Sequence, residues 1–262
     1  MTDTTIDTMR WARLLVEAVQ EPGLISEAYR AFHGYSLGNR ALALTQCRMR
    51  GIAPGPIATY RGWQQKGRQV RRGEKAIVLC RPVTRTIEDE RGERKMITTG
   101  FVERPYWFVL SQTEGEPVAP PPTPAWDRGQ ALTALEIREI PFRALDGNTL
   151  GYARRREIAL SPLSPMPHET TFHEMAHVVL GHTGAGEFLD NPLTERNLAE
   201  VEAESVALLC CESLGLPGAE YARGYIQSWL VGDVIPEKSA HRIFHAADQI
   251  LKAGQKQSEE EL

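Results

Sequence analysis

The sequence predicts an α+β protein of two domains, and three observations carry this prediction. Residues 114–125 hold five prolines, which interrupt helices and sheets and favour a stiff, extended spacer. The charge changes sign there, because residues 1–113 carry 18 Lys and Arg against 11 Asp and Glu, whereas the later residues carry 12 against 23. On each side, helical periodicity is combined with short apolar runs typical of strands. We therefore expect a domain at 1–113, a linker at 114–126, a second domain at 127–254 and an acidic tail at 255–262.

Before the linker, the pattern predicts helices followed by a small antiparallel sheet. Apolar residues recur at helical spacing from Trp11 until Pro22–Gly23 stops the run. Further helices are expected at 24–32, from a Ser36 cap to Gly51, and from a Thr59 cap to Gly67. The compact apolar runs 75–80 and 106–110 are typical of strands, with 88–94 as a hairpin turn.

After the linker, the pattern predicts a short sheet followed by helices. The expected strands are 137–142, a segment around Tyr152 and 158–160, with a turn at 146–148. The expected helices are 168–180, 198–214, 220–230 and 237–252.

The composition excludes several classes of protein. With 42% hydrophobic and 24% charged residues, the chain is typical of a globular protein. No apolar run approaches the roughly 18–20 residues of a membrane helix, and charges in the first twenty residues exclude a secretory signal. The four cysteines are too few for a disulfide framework. We expect a cytoplasmic protein with no membrane partner.

The segment His173-Glu174-Met175-Ala176-His177 carries the sharpest chemical signal. Two histidines four residues apart project from one helix face and can offer two imidazole nitrogens to one zinc ion. The adjacent Glu174 reaches the open coordination position, where a carboxylate can take a proton from an attacking water. We predict that His173 and His177 bind the metal and that Glu174 is catalytic. Zinc is the expected metal, with another divalent ion as the alternative.

A third metal ligand is expected on the acidic helix that follows. Glu200 and Glu204 share one helix face, whereas Glu202 points about 160° away from Glu200. We predict Glu200 as the ligand and Glu204 as the acceptor for the N–H of a ligand histidine. On this reasoning Glu200→Ala loses the metal and Glu202→Ala keeps it. The alternative is that these acids form a solvated helix face.

The neighbourhood of the motif leaves other assignments open. His168 and His182 flank it, but histidines near helix ends more commonly cap carbonyls or face solvent than bind metal. An oxyanion-stabilising side chain is also expected, and the sequence offers four candidates: Tyr221, Tyr225, His241 and His245.

Basic and aromatic residues are interleaved in the first domain. Residues 36–85 contain eleven Lys or Arg and a single acid, Glu74. Aromatic rings can stack on unpaired bases while cations follow the phosphates, so the pattern favours single-stranded DNA, with double-stranded DNA as an alternative. For Tyr60 and Trp63 the alternative is a place in the core of a short helix. The predicted DNA-binding residues are Tyr35, Arg40, Tyr60, Arg61, Trp63, Lys66, Arg68, Arg71, Arg72 and Lys75.

Both halves resemble ArdC-type antirestriction proteins. In the first half the resemblance rests on Tyr35–Ser36, Asn39, Gln46, Trp63, Gly67–Arg68, Val70, 73–75, Phe108 and 111–115. In the second half it rests on 171–183, the Glu-rich 200–204 and 224–230, and the metal motif is similar to that of gluzincin peptidases. Ala76 is a departure, since Gly is expected after Gly-Glu-Lys.

The resemblance implies an N-terminal domain that binds single-stranded DNA and a C-terminal zincin-like metallopeptidase domain of the gluzincin type. Such proteins belong to conjugative plasmids and related mobile elements, and they help incoming DNA to escape restriction. The resemblance also implies that the protein hydrolyses peptide bonds, in a protein substrate of unknown identity. The resemblance supports His173, Glu174 and His177 as individual site residues, whereas it supports the basic segment only as a region.

Two other functions are kept as hypotheses. In one, DNA binding is the whole function and the metal site is structural. In the other, the chain is a DNA-associated regulatory metalloprotease unrelated to restriction.

Overall fold

The computed structural model of the chain describes residues 11–88, 94–119, 125–144, 149–184 and 196–255. These residues fall into two compact units. The basic unit contains Ala31–Tyr35 and the described residues from Asn39 to 119. The helical unit contains the described residues up to Arg30, Ser36–Gly38 and those from 125 onward. Helices and strands occur in both units, which confirms the predicted α+β class.

Nine helices occur in the described residues, and eight of them were predicted to within a few residues. They are α1 (Trp11–Gln20), α2 (Leu24–Ala31), α3 (Leu37–Arg50), α4 (Tyr60–Gln65), α5 (Arg128–Ala134), α6 (Pro167–Leu180), α7 (Arg196–Leu214), α8 (Ala219–Leu230) and α9 (Glu237–Ala253). The expected cap of α4 is present, because the Thr59 hydroxyl accepts a hydrogen bond from the Gly62 amide at 3.1 Å. Helix α5 was missed, since seven residues are too few for a clear apolar repeat.

Eight strands form three small sheets in the described part of the chain. They are β1 (Ile57–Thr59), β2 (Arg68–Val70), β3 (Ile77–Glu88), β4 (Arg94–Val109), β5 (Thr113–Gly115), β6 (Arg138–Glu139), β7 (Gly151–Arg154) and β8 (Glu157–Leu160). The basic unit has an antiparallel sheet in the order β1-β4-β3 and a ribbon of β2 with β5. The helical unit has the order β6-β8-β7, with β7 at one edge.

Two amide side chains of α3 complete the edge of β3 in the basic unit. The Gln46 amide donates to the Val78 carbonyl at 2.8 Å and accepts from the Val78 N–H at 2.9 Å. Asn39 makes the same pair of bonds to Cys80, each 2.9 Å long. An unpaired sheet edge exposes backbone groups, and here the amides stand in for the missing strand. These bonds give a structural role to Asn39 and Gln46, two of the residues on which the family resemblance rests.

The division into units differs from the expected domains at the beginning of the chain. Helices α1 and α2 were expected in the domain 1–113, yet they pack within the helical unit. The buried carboxylate of Glu212 accepts from the amides of Gly23 and Ile25 at 3.0 and 3.2 Å, at the start of α2. The buried Arg223 donates to Glu212 and to the carbonyls of Ala18 and Val19. These long-range contacts leave no periodic signal in the sequence.

The proline-rich boundary also needs a correction, because β5 extends to Gly115 and therefore includes the first residues of the expected linker. Residues 120–124 of the linker, 89–93 of the predicted hairpin turn, the turn at 146–148 and residues 256–262 of the tail lie outside the described residues. Among the described helices, none combines the length and the apolar character needed to cross a membrane.

Glu212→Ala is expected to destabilise the protein by about 3–5 kcal/mol, because it leaves Arg223 buried without its carboxylate. The matched control is Glu220→Ala, which removes the exposed second acid near Arg223 and should change the free energy of unfolding by less than about 1 kcal/mol. Urea unfolding followed by circular dichroism compares the two variants. Equal losses in both would contradict the assignment of Glu212 as the buried anchor.

Candidate metal centre

Helix α6 presents the two motif histidines on one face. The helix begins at Pro167 and ends at Gly181, whose φ of +76° is the left-handed conformation that glycine adopts without strain. The Nε2 atoms of His173 and His177 lie 3.0 Å apart. The four-residue spacing therefore does place both imidazoles at one point.

Helix α7 packs beside α6 and brings Glu200 to the same point. Glu200 Oε2 lies 3.4 Å from His173 Nε2 and 3.7 Å from His177 Nε2. Neighbouring ligand atoms of a tetrahedral zinc ion, with bonds of about 2.0–2.2 Å, lie about 3.3–3.6 Å apart. The spacing and the chemistry of these three donors fit a small divalent cation.

The pKa of Glu200 is well below its usual range, because the imidazoles of His173 and His177 lie against its carboxylate. The carboxylate is thus ionised at neutral pH, which is the state that binds a cation. Among the sequence-predicted residues, the structure brings His173, His177 and Glu200 together as the expected ligand set.

Glu174 lies beside this cluster and is buried. Burial raises the pKa of Glu174 to about 7, with the charges of Glu200 and Glu204 acting in the same direction and His173 opposing them. Strand β7 passes very close to this carboxyl, since a Cβ atom built at Gly151 would lie 2.6 Å from Glu174 Oε1. Because a Cβ atom at this position would overlap the Glu174 side chain, glycine allows β7 to approach so closely.

Behind His173 lies a second group of carboxyls. His173 Nδ1 is 3.4 Å from Glu204 Oε1, in agreement with the expected partnership of Glu204 with a ligand histidine. Burial, followed by the charge of Glu204, raises the pKa of the neighbouring Glu169 to about 7. Glu169, His173 and Glu204 are close enough to surround a cation. Because a cation there and one at Glu200 would need both nitrogens of His173, this group is better suited to share a proton.

Glu202 does not lie on a solvated helix face, which excludes that alternative for this residue. Its side chain is fully buried, and its Oε2 lies 2.8 Å from Nε2 of the equally buried His182. The other ring nitrogen of His182, Nδ1, lies 3.0 Å from Nδ1 of His177. With both nitrogens engaged, His182 has none left for a metal. The exposed His168 has no place in either cluster.

The pKa of Glu202 is lowered overall. Burial acts to raise it, but the hydrogen bonds from His182 and Ser239 and the charge of Arg242 outweigh that effect. Arg242 Nη1 lies 3.6 Å from the Glu202 carboxylate, and its Nη2 donates to the Leu180 carbonyl. Glu202 is therefore an ionised carboxylate inside the protein. Sequence analysis missed it because its contacts, twenty or more residues away, lie on other elements.

Of the four candidates for oxyanion stabilisation, Tyr225 is distinguished by its electrostatic environment. Burial raises the pKa of the Tyr225 phenol, and the charges of Glu200 and Glu204 raise it further. The phenol thus interacts with the acids of the cluster and stays protonated at neutral pH. By contrast, the ring of His241 packs edge-on against Trp11, with ring centroids 5.5 Å apart.

Three of the predicted DNA-binding residues have side chains that make contacts inside the basic unit, and two of them, Trp63 and Arg40, are buried. Trp63 is only 1% exposed, and its indole N–H donates to the Phe108 carbonyl at 2.8 Å. Arg40 is 6% exposed and donates to the Tyr35 carbonyl. The Tyr35 hydroxyl donates to the Ile57 carbonyl, and burial raises its pKa. A buried ring cannot stack on a base without local unfolding.

Two further arginines are largely occupied by the backbone. The Arg68 guanidinium donates to the Thr113 hydroxyl and to the carbonyls of Thr113 and Gly115. Arg71 pairs with Glu74 at 3.1 Å and donates to the Ser111 carbonyl. The remaining predicted DNA-binding residues are exposed: Tyr60, Arg61, Lys66, Arg72 and Lys75. Phe101 and Tyr106 on β4 add two exposed rings that sequence analysis did not select.

The fold and the site define a two-unit α+β protein in which one unit carries a candidate divalent-metal centre of the HExxH type. Residues 10–108 match the family model for the N-terminal domain of the anti-restriction factor ArdC. No curated protein matches the chain significantly by sequence.

Two solved structures of the antirestriction ArdC protein from plasmid R388 have a similar fold. The metal-free structure is 22% identical, with a TM-score of 0.53 over 95% of this chain and 96% of that one. The Mn(II)-bound structure is 20% identical, with a TM-score of 0.53 over 93% and 97%. Residues 10–108 therefore resemble the N-terminal domain of ArdC, and the whole chain shares its fold, in line with the resemblance seen in the sequence.

The buried acids predict that the metal-free protein loses stability as pH rises. Glu169 and Glu174 have pKa values raised to about 7 in the folded state, so the folded protein binds more protons than the unfolded chain between about pH 5 and 7. Each of these two carboxyls then lowers the free energy of unfolding by about 2 kcal/mol as the pH rises from 5 to 7. Glu169→Gln should abolish roughly half of the combined fall. This fall in the free energy of unfolding is measured by urea unfolding at pH 5, 6 and 7 in the presence of a chelator.

The control for this pH dependence is Glu136→Gln, which removes an exposed carboxyl of the same unit. Its pH profile should match that of the unmodified protein. An unchanged profile for Glu169→Gln would show that Glu169 ionises freely in the folded state.

Proposed function

We propose that the chain is an antirestriction protein of a conjugative plasmid or another mobile element. In this proposal its basic unit binds single-stranded DNA, and its helical unit is a zinc metallopeptidase of the zincin-like, gluzincin type. The observation that carries the enzymatic part is the convergence of His173, His177 and Glu200 within 3.0–3.7 Å of one another, beside the buried Glu174. The family match over residues 10–108 supports the antirestriction part.

The three ligands leave room for the chemistry of a hydrolytic metal site. A catalytic zinc site has three protein ligands and one open position, and two histidines with one glutamate are a common set. When bound, zinc or another divalent ion supplies Lewis acidity and lowers the pKa of water towards neutrality. The R388 relative binds Mn(II), so manganese is the first alternative to zinc.

Glu174 is proposed as the general base. A carboxyl whose pKa is about 7 is well matched to accept a proton from water and later to donate it to a leaving amine. Its burial beside β7 holds the carboxyl in a fixed orientation, because Gly151 brings the strand against it. The two histidine ligands and the proton acceptor thus lie on adjoining turns of α6, while Glu200 comes from α7.

Tyr225 is proposed to stabilise the negative charge that develops on a peptide carbonyl oxygen. Its raised pKa keeps the phenol protonated, so the O–H can donate a hydrogen bond to an oxyanion. The ring is 43% exposed and therefore accessible to a substrate.

For the basic unit, the proposal relies on exposed residues alone. Arg61, Lys66, Arg72 and Lys75 can neutralise phosphates, and Tyr60 offers an exposed ring for stacking. The Tyr60 hydroxyl accepts a hydrogen bond from Gln69, which orients the ring without burying it. Conjugation delivers a single strand, so a protein bound to that strand can act before restriction begins.

The second candidate is an antirestriction protein whose DNA binding is sufficient and whose metal site is structural. The observation that favours it is the set of buried polar contacts around His173 and His177, which would also suit a site that holds two helices together. A DNA-associated regulatory metalloprotease is a third candidate with the same site.

The decisive variant for the proposed function is Glu174→Gln. It leaves the three ligands in place, so metal content and DNA binding should be unchanged, while peptide hydrolysis should fall by about 10²–10⁴-fold. Protection of conjugated DNA in a restricting recipient should fall to the level seen without the protein. Glu220→Gln, an exposed change in the same unit, is the matched control and should retain protection.

Full protection by Glu174→Gln, with metal and DNA binding intact, would contradict the enzymatic proposal and support the binding function alone. Cleavage of a host protein without any protection phenotype would support the regulatory protease.

Tyr60→Ala is expected to weaken binding of a fluorescent single-stranded oligonucleotide by about 1–3 kcal/mol, because it removes a stacking ring. Affinity should fall steeply with salt, by about 0.7 in log K per neutralised phosphate for each unit of log salt concentration. The matched control is Tyr221→Ala, which removes another exposed tyrosine, in the helical unit, and should bind as the unmodified protein does. Equal affinity of the two variants would exclude stacking on Tyr60.

A further inference from the structure

His182 is positioned by the end of helix α6. Its backbone N–H donates to the His177 carbonyl at 2.9 Å, one residue after the left-handed Gly181. The turn places the imidazole of His182 behind that of His177, with ring centroids 5.1 Å apart. The side chain is completely buried, so the partners of its two nitrogens are protein atoms rather than bulk water.

The hydrogen bonds of this ring determine which nitrogen of each histidine carries a proton. The Glu202 carboxylate also faces Arg242, whose Nη1 lies 3.6 Å away, so Glu202 is the acceptor and His182 Nε2 donates to it across 2.8 Å. A neutral imidazole protonated on Nε2 has a lone pair on Nδ1. With His182 in this neutral form, the lone pair faces His177 Nδ1 at 3.0 Å, so that His177 carries its proton on Nδ1.

The consequence reaches the candidate metal ligand itself. A neutral His177 that carries its proton on Nδ1 presents the lone pair of Nε2 to His173 and Glu200. This is the tautomer that can bind a cation through Nε2. Histidine ligands commonly donate their second nitrogen directly to a carboxylate, whereas here a second imidazole stands between them.

We propose that Glu202 and His182 are positioning residues that hold His177 as the metal-binding tautomer. This inference rests on the proposed metal centre. The two ligand histidines are then oriented in different ways, because His173 Nδ1 faces the Glu204 carboxylate directly, whereas His177 is oriented through His182.

The buried position of Glu202 supports this assignment over simple core packing. A buried carboxylate loses its hydration, and an apolar side chain of similar volume commonly fits such a site at equal or greater stability. Arg242 and Ser239 compensate the charge from α9, and Arg242 also donates to the Leu180 carbonyl near the end of α6. Glu202 is thus held by its own helix α7, by α9 and by the turn that follows α6, with its acceptor oxygen directed at His182.

The test combines a spectroscopic readout with metal binding, using full-length protein labelled with ¹⁵N-histidine. In the metal-free protein, long-range ¹H–¹⁵N spectra should show His177 protonated on Nδ1. In His182→Phe, which keeps a ring of similar size without nitrogens, this tautomer preference should disappear. Affinity for Zn²⁺ alone, measured by competition with a chelator, should weaken by about 10–100-fold.

Two variants separate positioning from packing. His182→Asn places an amide oxygen where Nδ1 lies, so it should restore the His177 tautomer and recover most of the Zn²⁺ affinity. His168→Phe makes the same substitution at an exposed position of α6 and should leave both readouts unchanged. If His182→Phe does not fold, the double variant His182→Phe/Glu202→Leu removes the buried charge as well and carries the same expectation.

The inference is overturned if folded His182→Phe, or the double variant, keeps His177 protonated on Nδ1 and binds Zn²⁺ as tightly as the unmodified protein. Failure of the unmodified protein to bind Zn²⁺ or Mn²⁺ contradicts the proposed metal centre instead. The tautomer of His177 in the metal-free protein then still decides whether His182 and Glu202 set it.

Discussion

The packing of α6 against α7 is the contact on which the helical unit depends, because it joins the motif histidines to their carboxylates. Helix α7 is buried along most of its length, although Glu200, Glu202, Glu204 and Glu212 lie on it. Each of these acids can be accommodated because a basic partner from another element reaches it, such as Arg223 for Glu212. Without those partners, burial of the three carboxylates of Glu202, Glu204 and Glu212 on one helix would strongly oppose folding.

The polar interior is divided between structural and chemical tasks. Glu212 and Arg223 lie at the ends of α1 and α2 and tie these helices into the unit. Around His173 and His177, the two histidines lower the pKa of Glu200, whereas burial raises the pKa values of Glu169 and Glu174. The physical cause is common to both, since a charge away from water keeps its proton state only with a close partner.

The basic unit shows why residue type alone does not identify a nucleic-acid surface. Trp63 and Arg40 have the chemistry that suits DNA, yet both are buried and bonded to the backbone. The family match over residues 10–108 therefore reflects core residues as well as any contact surface. The exposed Tyr60 and its neighbouring cations are what a bound strand could reach.

The sequence by itself determined the features that repeat locally. Helical periodicity located eight of the nine described helices, and the spacing of His173, His177, Glu200 and Glu204 predicted the side chains that converge. The tertiary structure alone decided that Trp63 is core, that α1 and α2 belong with the later helices, and that Glu202 meets His182. The physical reason is that the helical repeat depends on neighbouring residues, whereas burial and proton state depend on contacts between residues far apart in the chain.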